Sequence, residues 1–448
     1  MNAFARRGAC PAISAPMQTG DGLLARLNTV AGGLSPKALI GLCESALRHG
    51  SGIVEVTARG SVQIRGLTPR SAQALARDVD ALEIEIRSGM PVETGPLAGM
   101  DAEEITDPRP LASEIRNAIA RDGLAARLGP KVSVVVDGGG RLPMDAVLAD
   151  VRLVASSSGW LLSTGGTAAG ARRIGTVNDA QACAATIAIL EAVAALGREA
   201  RARDLADPHR IIAALPLSAR PERSDPRTPS TGASIAMFPL ADGTLALGIA
   251  LPFGSMPAEN IVALAQGAIA LGVTEIRPAP SRTLLFPGLS LDACDTLRDA
   301  AASLGFITES ADPRLSIAAC PGSPACTSGR IATRALAERI AAHDADLLDG
   351  SFTLHVSGCA KGCAHPAPAA ITLVGHNLDA HDDGAGIALD ATARSPEAAG
   401  TVISDAQAGA ARIASLARRN RQSGETVAAC LSRLGAATVT TAFMQGRE

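Results

Sequence analysis

Residues 23–67 read LLARLNTVAGGLSPKALIGLCESALRHGSGIVEVTARGSVQIRGL, and this stretch decides the fold. Residues 23–27 form a short apolar run that reads as a strand. Leu39, Leu42, Ala46 and Leu47 then recur at helical spacing, which predicts an amphipathic helix over residues 35–49. Ser35 suits its N-cap, Pro36 its first turn, and Gly50 and Gly52 end it. Beyond the glycines, Val54 and Val56, then Val62 and Ile64, alternate with the period of strands. Strand, helix, strand and hairpin make half of a ferredoxin-like arrangement.

The same pattern returns about 222 residues later. A strand over 245–252 precedes MPAENIVALAQGAIALG, and VTEIRPAPSRTLLFPGL follows. Leu42 corresponds to Leu264, Ala46 to Ala268, Gly50 to Gly272, and Gly66-Leu67 to Gly288-Leu289. Each half is too small to bury its sheet alone. The repeat therefore predicts two half-domains packed into one body.

Between the copies, KVSVVVDGGG predicts a strand over 131–136 stopped by glycines. A hairpin is expected around Ser157-Ser158-Gly159, with helices from Arg109 and over 179–196. The segment 218–232 is polar, carries three prolines and reads as a linker. After residue 305 come a helix over 328–343, strands over 351–357 and 369–374, and helices near 405–420 and 424–434. The expected division is a half-domain at 1–75, an α/β domain at 76–235, a second half-domain at 236–300 and an α/β domain at 301–448.

Composition limits the function. The 448 residues carry a net charge of -3, which gives no general attraction to nucleic acid or anionic lipid. Apolar runs such as residues 184–197 fall short of a membrane span, and residues 1–14 lack a signal-peptide core. A cytoplasmic, monomeric protein is expected. Nine cysteines do not make a disulfide framework. Cys43, Cys183 and Cys294 sit in helical patterns as small apolar residues; Cys10 lies beside Arg6 and Arg7.

Four cysteines differ from the rest. Cys320-x5-Cys326 and Cys359-x3-Cys363 form two close pairs separated by 32 residues. Soft thiolates at this spacing favour a [4Fe-4S] cluster; a zinc site is the rival, although zinc pairs are usually tighter. Gly322, Ser323, Gly358 and Gly362 let the backbone approach inorganic sulfur.

ACPGSPAC and VSGCAKGC, the repeated half-domain and the segment TARGSVQIRGL together resemble the siroheme nitrite/sulfite reductase family. The resemblance spans nearly the whole chain. It implies an α+β fold in which duplicated ferredoxin-like half-domains form one domain beside two α/β domains. It implies that Cys320, Cys326, Cys359 and Cys363 hold a [4Fe-4S] cluster, with Cys363 bridging to siroheme iron in relatives. It also implies that Thr57, Arg59, Gln63 and Arg65 line the tetrapyrrole, whose carboxylates suit the bidentate arginine fork. Arg26 adds to that belt, as do Arg6 and Arg7. Arg59 and Arg65 have the same strand parity and share a face if no turn separates them.

The family's second strand lysine is missing: Ser133 stands two residues after Lys131. This weakens the alternative of a siroheme-dependent sulfite or nitrite reductase, whose small anion needs concentrated positive charge. Residues 6–27, the length, and PLAG at 96–99 with DPRPLA at 107–112 resemble instead an oxygenase branch of the family. That branch implies hydroxylation of precorrin-3A by O2, with lactone formation, in cobalamin biosynthesis. The tetrapyrrole is then substrate, Arg26, Arg59, Gln63 and Arg65 bind it, and Arg59 and Lys131 are the catalytic candidates. The resemblance also implies a mononuclear non-haem iron and NADH as reductant. No dinucleotide fingerprint follows a strand, so an electron-donating reductase partner is expected. The iron's candidate ligands are His49, His209, His343, His355, His365, His376 and His381, and the acidic loop holding Asp379, Asp382 and Asp383.

Overall fold

A computed structural model describes residues 11–29, 32–87, 89–213, 234–378 and 382–445. Arg6, Arg7, Cys10, the linker 218–232, Asp379 and His381 lie outside the described residues.

The first repeat is built from strands Met17–Thr19, Gly22–Leu27, Ile53–Val56 and Val62–Leu67, with helices Pro36–His49 and Pro69–Ala81. Ser35 and Thr68 cap the two helices through their side chains, and a proline opens each. The second repeat has strands Met237–Pro239, Leu245–Ala250, Arg277–Ala279 and Thr283–Leu289, with helices Ala258–Ala270 and Leu291–Ser303. The 222-residue offset carries into the register: Arg26 faces Gln63 as Gly248 faces Leu285, and Glu55 faces Gln63 as Arg277 faces Leu285. It also extends past Leu67 and Leu289 to the second helix of each repeat.

Both repeats bury one core. Leu39, Leu42 and Ala46 pack with Ile261, Leu264, Ala265 and Ala268 between the two sheets. Ala46, Ala265 and Ala268 at the helix contact let the backbones come close. Each fully buried leucine contributes about 2 kcal/mol. Strand Ser255–Pro257 leaves the second repeat and pairs antiparallel with Ile53–Val56, and Leu34 bonds Ile276 across the boundary at 2.8 Å. The half-domains thus form one body, as the repeat required.

Residues 92–213 form a separate five-stranded sheet covered by helices Arg109–Arg121 and Asp179–Ala195. The expected hairpin is Ala149–Ser156 with Gly159–Gly166. The strand expected from Lys131 begins only at Val134. Val132 closes a turn onto Gly129, and the amide of Ser133 bonds the Asp150 carboxylate at 3.1 Å instead of a ladder carbonyl.

The cysteine region has a sheet of strands Ile317–Ala319, Leu354–Ser357, Ala369–Asn377 and Asp383–Ala391. Helices Thr333–His343, Ala406–Asn420, Val427–Leu434 and Ala436–Met444 cover one side. The helix expected from residue 328 begins at Thr333. Residues 326–331 are held by crossing bonds, Gly329 to Cys326, Arg330 to Gly358 and Ser323 to Ile331. The last strand and last helix were not expected from sequence. Among the described residues no single helix is long and apolar enough to cross a membrane.

Candidate functional site

The two cysteine motifs meet across a glycine seam. The Gly358 amide donates to Cys320 Sγ at 3.2 Å, a bond that favours a thiolate. A Cβ on Gly358 would stand 3.1 Å from the Cα atoms of Gly322 and Gly329, so this approach needs bare backbone. The Thr333 hydroxyl fixes the loop by donating to the Cys320 carbonyl. Burial pushes the Cys359 thiol up; the Lys361 amide opposes this, and the nearby Cys326 and Cys320 add to the rise. Such mutual repulsion is what a cationic iron–sulfur core relieves. The second motif is a set of turns, not a helical face. Cys320, Cys326 and Cys359 approach one another on two loops, with amide donors to Cys320 and Cys359, which suits iron–sulfur chemistry, and Cys363 is exposed nearby in sequence. Among the described residues no three metal-binding side chains converge on a single-ion site.

Above this seam lies the outward face of the first-repeat sheet. Val62 and Ile64 point into the core, so Gln63 and Arg65 point the other way. Arg65 holds Asp21 through two bonds, of 2.9 and 3.1 Å, and donates to the Ala325 carbonyl at 2.7 Å, inside the first cysteine loop. Glu55 lies 3.8 Å from Arg65 and pairs with Arg334, which also donates to Ser255 Oγ at 3.0 Å. Arg26 reaches Gln63 Oε1 at 3.5 Å. The sheet is therefore wired to the cysteine loop by charge.

Arg59 does not share this arrangement. A turn separates Ile53–Val56 from Val62–Leu67, so strand parity does not link Arg59 to Arg65. Arg59 sits on the turn, exposed, and lines a cleft with Asn28, Ser61, Arg87, Arg109 and Arg277. Arg87, Arg109 and Arg277 are paired with Glu93, Asp107 and Glu275. Among the described residues the Arg59 guanidinium has only the Leu148 carbonyl, at 3.5 Å. The Ser133 hydroxyl donates to that same carbonyl at 3.4 Å. Lys131 is exposed two residues before Ser133; its carbonyl accepts from Arg201, which grips Asp150. The Arg59 tip and the 131–133 segment are thus brought together, while Arg26, Gln63 and Arg65 belong to the cysteine side.

The histidines do not gather. His49 bonds Asp78 at 3.1 Å, and His209 and His343 are exposed on helices. His355 is fully buried with neither ring nitrogen partnered; burial, then His365, pushes it down to about 4. The two rings stand edge to face at 5.7 Å. His376 is apart, on the strand Ala369–Asn377. These described histidines do not supply a ligand set for a mononuclear iron.

Sequence reasoning missed Asp21, Glu55, Arg282 and Arg334. Glu55 was detectable: in IVEV it alternates with core valines, and a carboxylate on a half-buried strand needs a cation. Arg334 was not, because its partner is 279 positions away.

Residues 15–82 match the nitrite/sulfite reductase ferredoxin-like half domain. The structure of the Mycobacterium tuberculosis NirA protein superposes with a TM-score of 0.69 over 91% of this chain and 82% of that one, at 20% identity, which shows a shared fold. A precorrin-3B synthase from Sinorhizobium sp is 41% identical over 445 residues, 98% of this chain and 95% of that protein. Identity of that depth over nearly the whole length, on the fold just described, makes this chain a member of the precorrin-3B synthase family.

Proposed function

We propose that this chain is an oxidoreductase of cobalamin biosynthesis that hydroxylates precorrin-3A and closes a lactone on the macrocycle. One oxygen atom of O2 enters the ring and the other leaves as water, with two electrons drawn from NADH through a reductase partner. The observation that carries this reading is the charged sheet face, Arg26, Gln63 and Arg65, seated on the Cys320–Cys326 loop through Arg65 and Ala325.

In this reading the tetrapyrrole lies between sheet and cysteine loops. Arg26 and Arg59 take its carboxylates, and Gln63 orients a polar edge. Arg65, bound to Asp21, holds the first cysteine loop against the sheet. Lys131, two residues before Ser133, supplies positive charge near Arg59, whose guanidinium shares the Leu148 carbonyl with Ser133. Fixing an acetate side chain by guanidinium groups raises its effective concentration at the ring carbon it attacks. A [4Fe-4S] cluster on the four thiolates supplies single electrons when bound.

Ser133 weighs against reduction of a small oxyanion. It is buried and spends its hydroxyl on Leu148, leaving Lys131 as the lone cation of that segment. The test is incubation of cluster-loaded protein with precorrin-3A, O2 and an electron source. Product mass should rise by one oxygen atom. Unchanged precorrin-3A with an intact cluster overturns the proposal, and strong porphyrinoid bands in the purified protein would favour a siroheme reductase.

A further inference from the structure

The two repeats meet at their hairpin turns. The Ser281 amide donates to the Ala58 carbonyl at 3.1 Å, and Arg59 bridges Pro280. At the tip the 222-residue offset pairs Gly60 with Arg282. Both have left-handed backbone, with φ of 79° and 64°. Glycine adopts that conformation freely and arginine does not. The second repeat thus keeps an arginine where the turn itself favours glycine. Local strain of this kind persists where a side chain has a separate task.

The side chain of Arg282 is directed inward. Its Cγ and Cδ lie 3.0 and 2.7 Å from where a Cβ on Gly254 would stand, so Gly254 is what lets the stem pass. Glu55 and Arg334 are its charged neighbours. Glu55 is already paired with Arg334 and lies beside Arg65, and Asp21 is taken by Arg65. Three guanidinium groups, Arg65, Arg282 and Arg334, therefore share two carboxylates. Among the described residues the Arg282 side chain has no hydrogen-bond or ion-pair partner, while its carbonyl accepts from Leu251 at 3.0 Å. Burial, then Arg334, pushes its guanidinium below the usual arginine range.

We propose that Arg282 binds a peripheral carboxylate of the tetrapyrrole, so that the second repeat contributes directly to a site otherwise built by the first. The inference rests on the tetrapyrrole reading above and adds a residue to it. Uroporphyrin, an octacarboxylated porphyrin, is the probe, with fluorescence titration of the cluster-loaded protein as readout. Arg282→Gln should weaken binding about tenfold, the loss of one charge-assisted pair. Arg282→Gly, which places the first repeat's residue at the turn, should lose the same affinity while Tm stays level or rises. Iron and sulfide content should not change in either variant.

Equal affinity in Arg282→Gln and the unaltered chain overturns the role of Arg282 alone. Loss of iron from the variants overturns it too, by assigning Arg282 to the cluster. Failure of the unaltered, cluster-loaded chain to bind uroporphyrin overturns the tetrapyrrole reading together with the inference.

Discussion

The two repeats have one backbone and opposite uses for their outer faces. In the first, Arg26, Glu55, Gln63 and Arg65 cover the sheet and engage the cysteine region. Their counterparts in the second, Gly248, Arg277, Leu285 and Pro287, are mostly apolar. There Leu285 joins Ala246, Phe238 and Leu240 in a cluster with Leu97 and Leu142 of the 92–213 region. One sheet is glued to its neighbour by burial, the other is held to it by charge with polar groups left over. One symmetric frame thus carries an apolar sheet that packs as scaffold and a charged sheet that meets the cysteine region.

The comparison breaks most completely at the cysteines, which have no counterpart in either repeat. Cys320→Ala should abolish iron and sulfide in purified protein, because Cys320 is the thiol that the Gly358 amide supports. Metal analysis at unaltered protein yield checks this; retained iron would dismiss the cluster.

Next comes Glu55, the centre of the charged face. Glu55→Gln leaves Arg65 and Arg334 facing each other across a buried gap, with side-chain exposures of 6% and 24%. Breaking such a pair by removing one partner costs about 3 kcal/mol. Urea unfolding should show that loss, whereas Arg277→Met, at the same register in the scaffold repeat, should cost much less. Equal losses would mean that the faces are not differently used.

Arg59 tests the turn. Arg59→Ala should weaken uroporphyrin binding about tenfold and leave Tm unchanged, since the guanidinium's bond to Leu148 is long and exposed. A fall in Tm without loss of affinity would make it a strut between the first repeat and Leu148.

Much of this was legible. The apolar periodicity at Leu39, Leu42 and Ala46 and its echo at Leu264 and Ala268 fixed the repeat, because core packing tolerates little change of spacing. The cysteine spacing brought the two motifs to one seam, where the Gly358 amide meets Cys320. The division of labour between faces was not legible, because the repeats were aligned on their apolar positions, which are the ones that do not differ. Strand parity linked Arg59 to Arg65 only if no turn lay between them; a turn does lie there, and apolar alternation cannot reveal it. Arg282 was hidden because nothing in PSRT announces left-handed backbone at an arginine.

The smallest effect separates the helical layers. Asp78 on helix Pro69–Ala81 accepts from Ser45, at 2.6 Å, and from Arg48 and is bonded by His49, all on helix Pro36–His49. At the same positions the second repeat has Ala300, Gly267, Ala270 and Leu271. The Ser45 hydroxyl first, then the Arg48 guanidinium, hold the Asp78 carboxyl below its usual range. A depressed folded-state pKa adds stability that is complete above the ordinary aspartate value of about 3.9 and is lost as pH falls through the depressed one. Hydrogen exchange between about pH 5 and about pH 2 should therefore show helix Pro69–Ala81 loosening before Leu291–Ser303. Asp78→Asn should remove that difference in pH dependence. Parallel loosening of both helices in the unaltered chain would show that the polar clasp adds nothing to what the shared apolar core already provides.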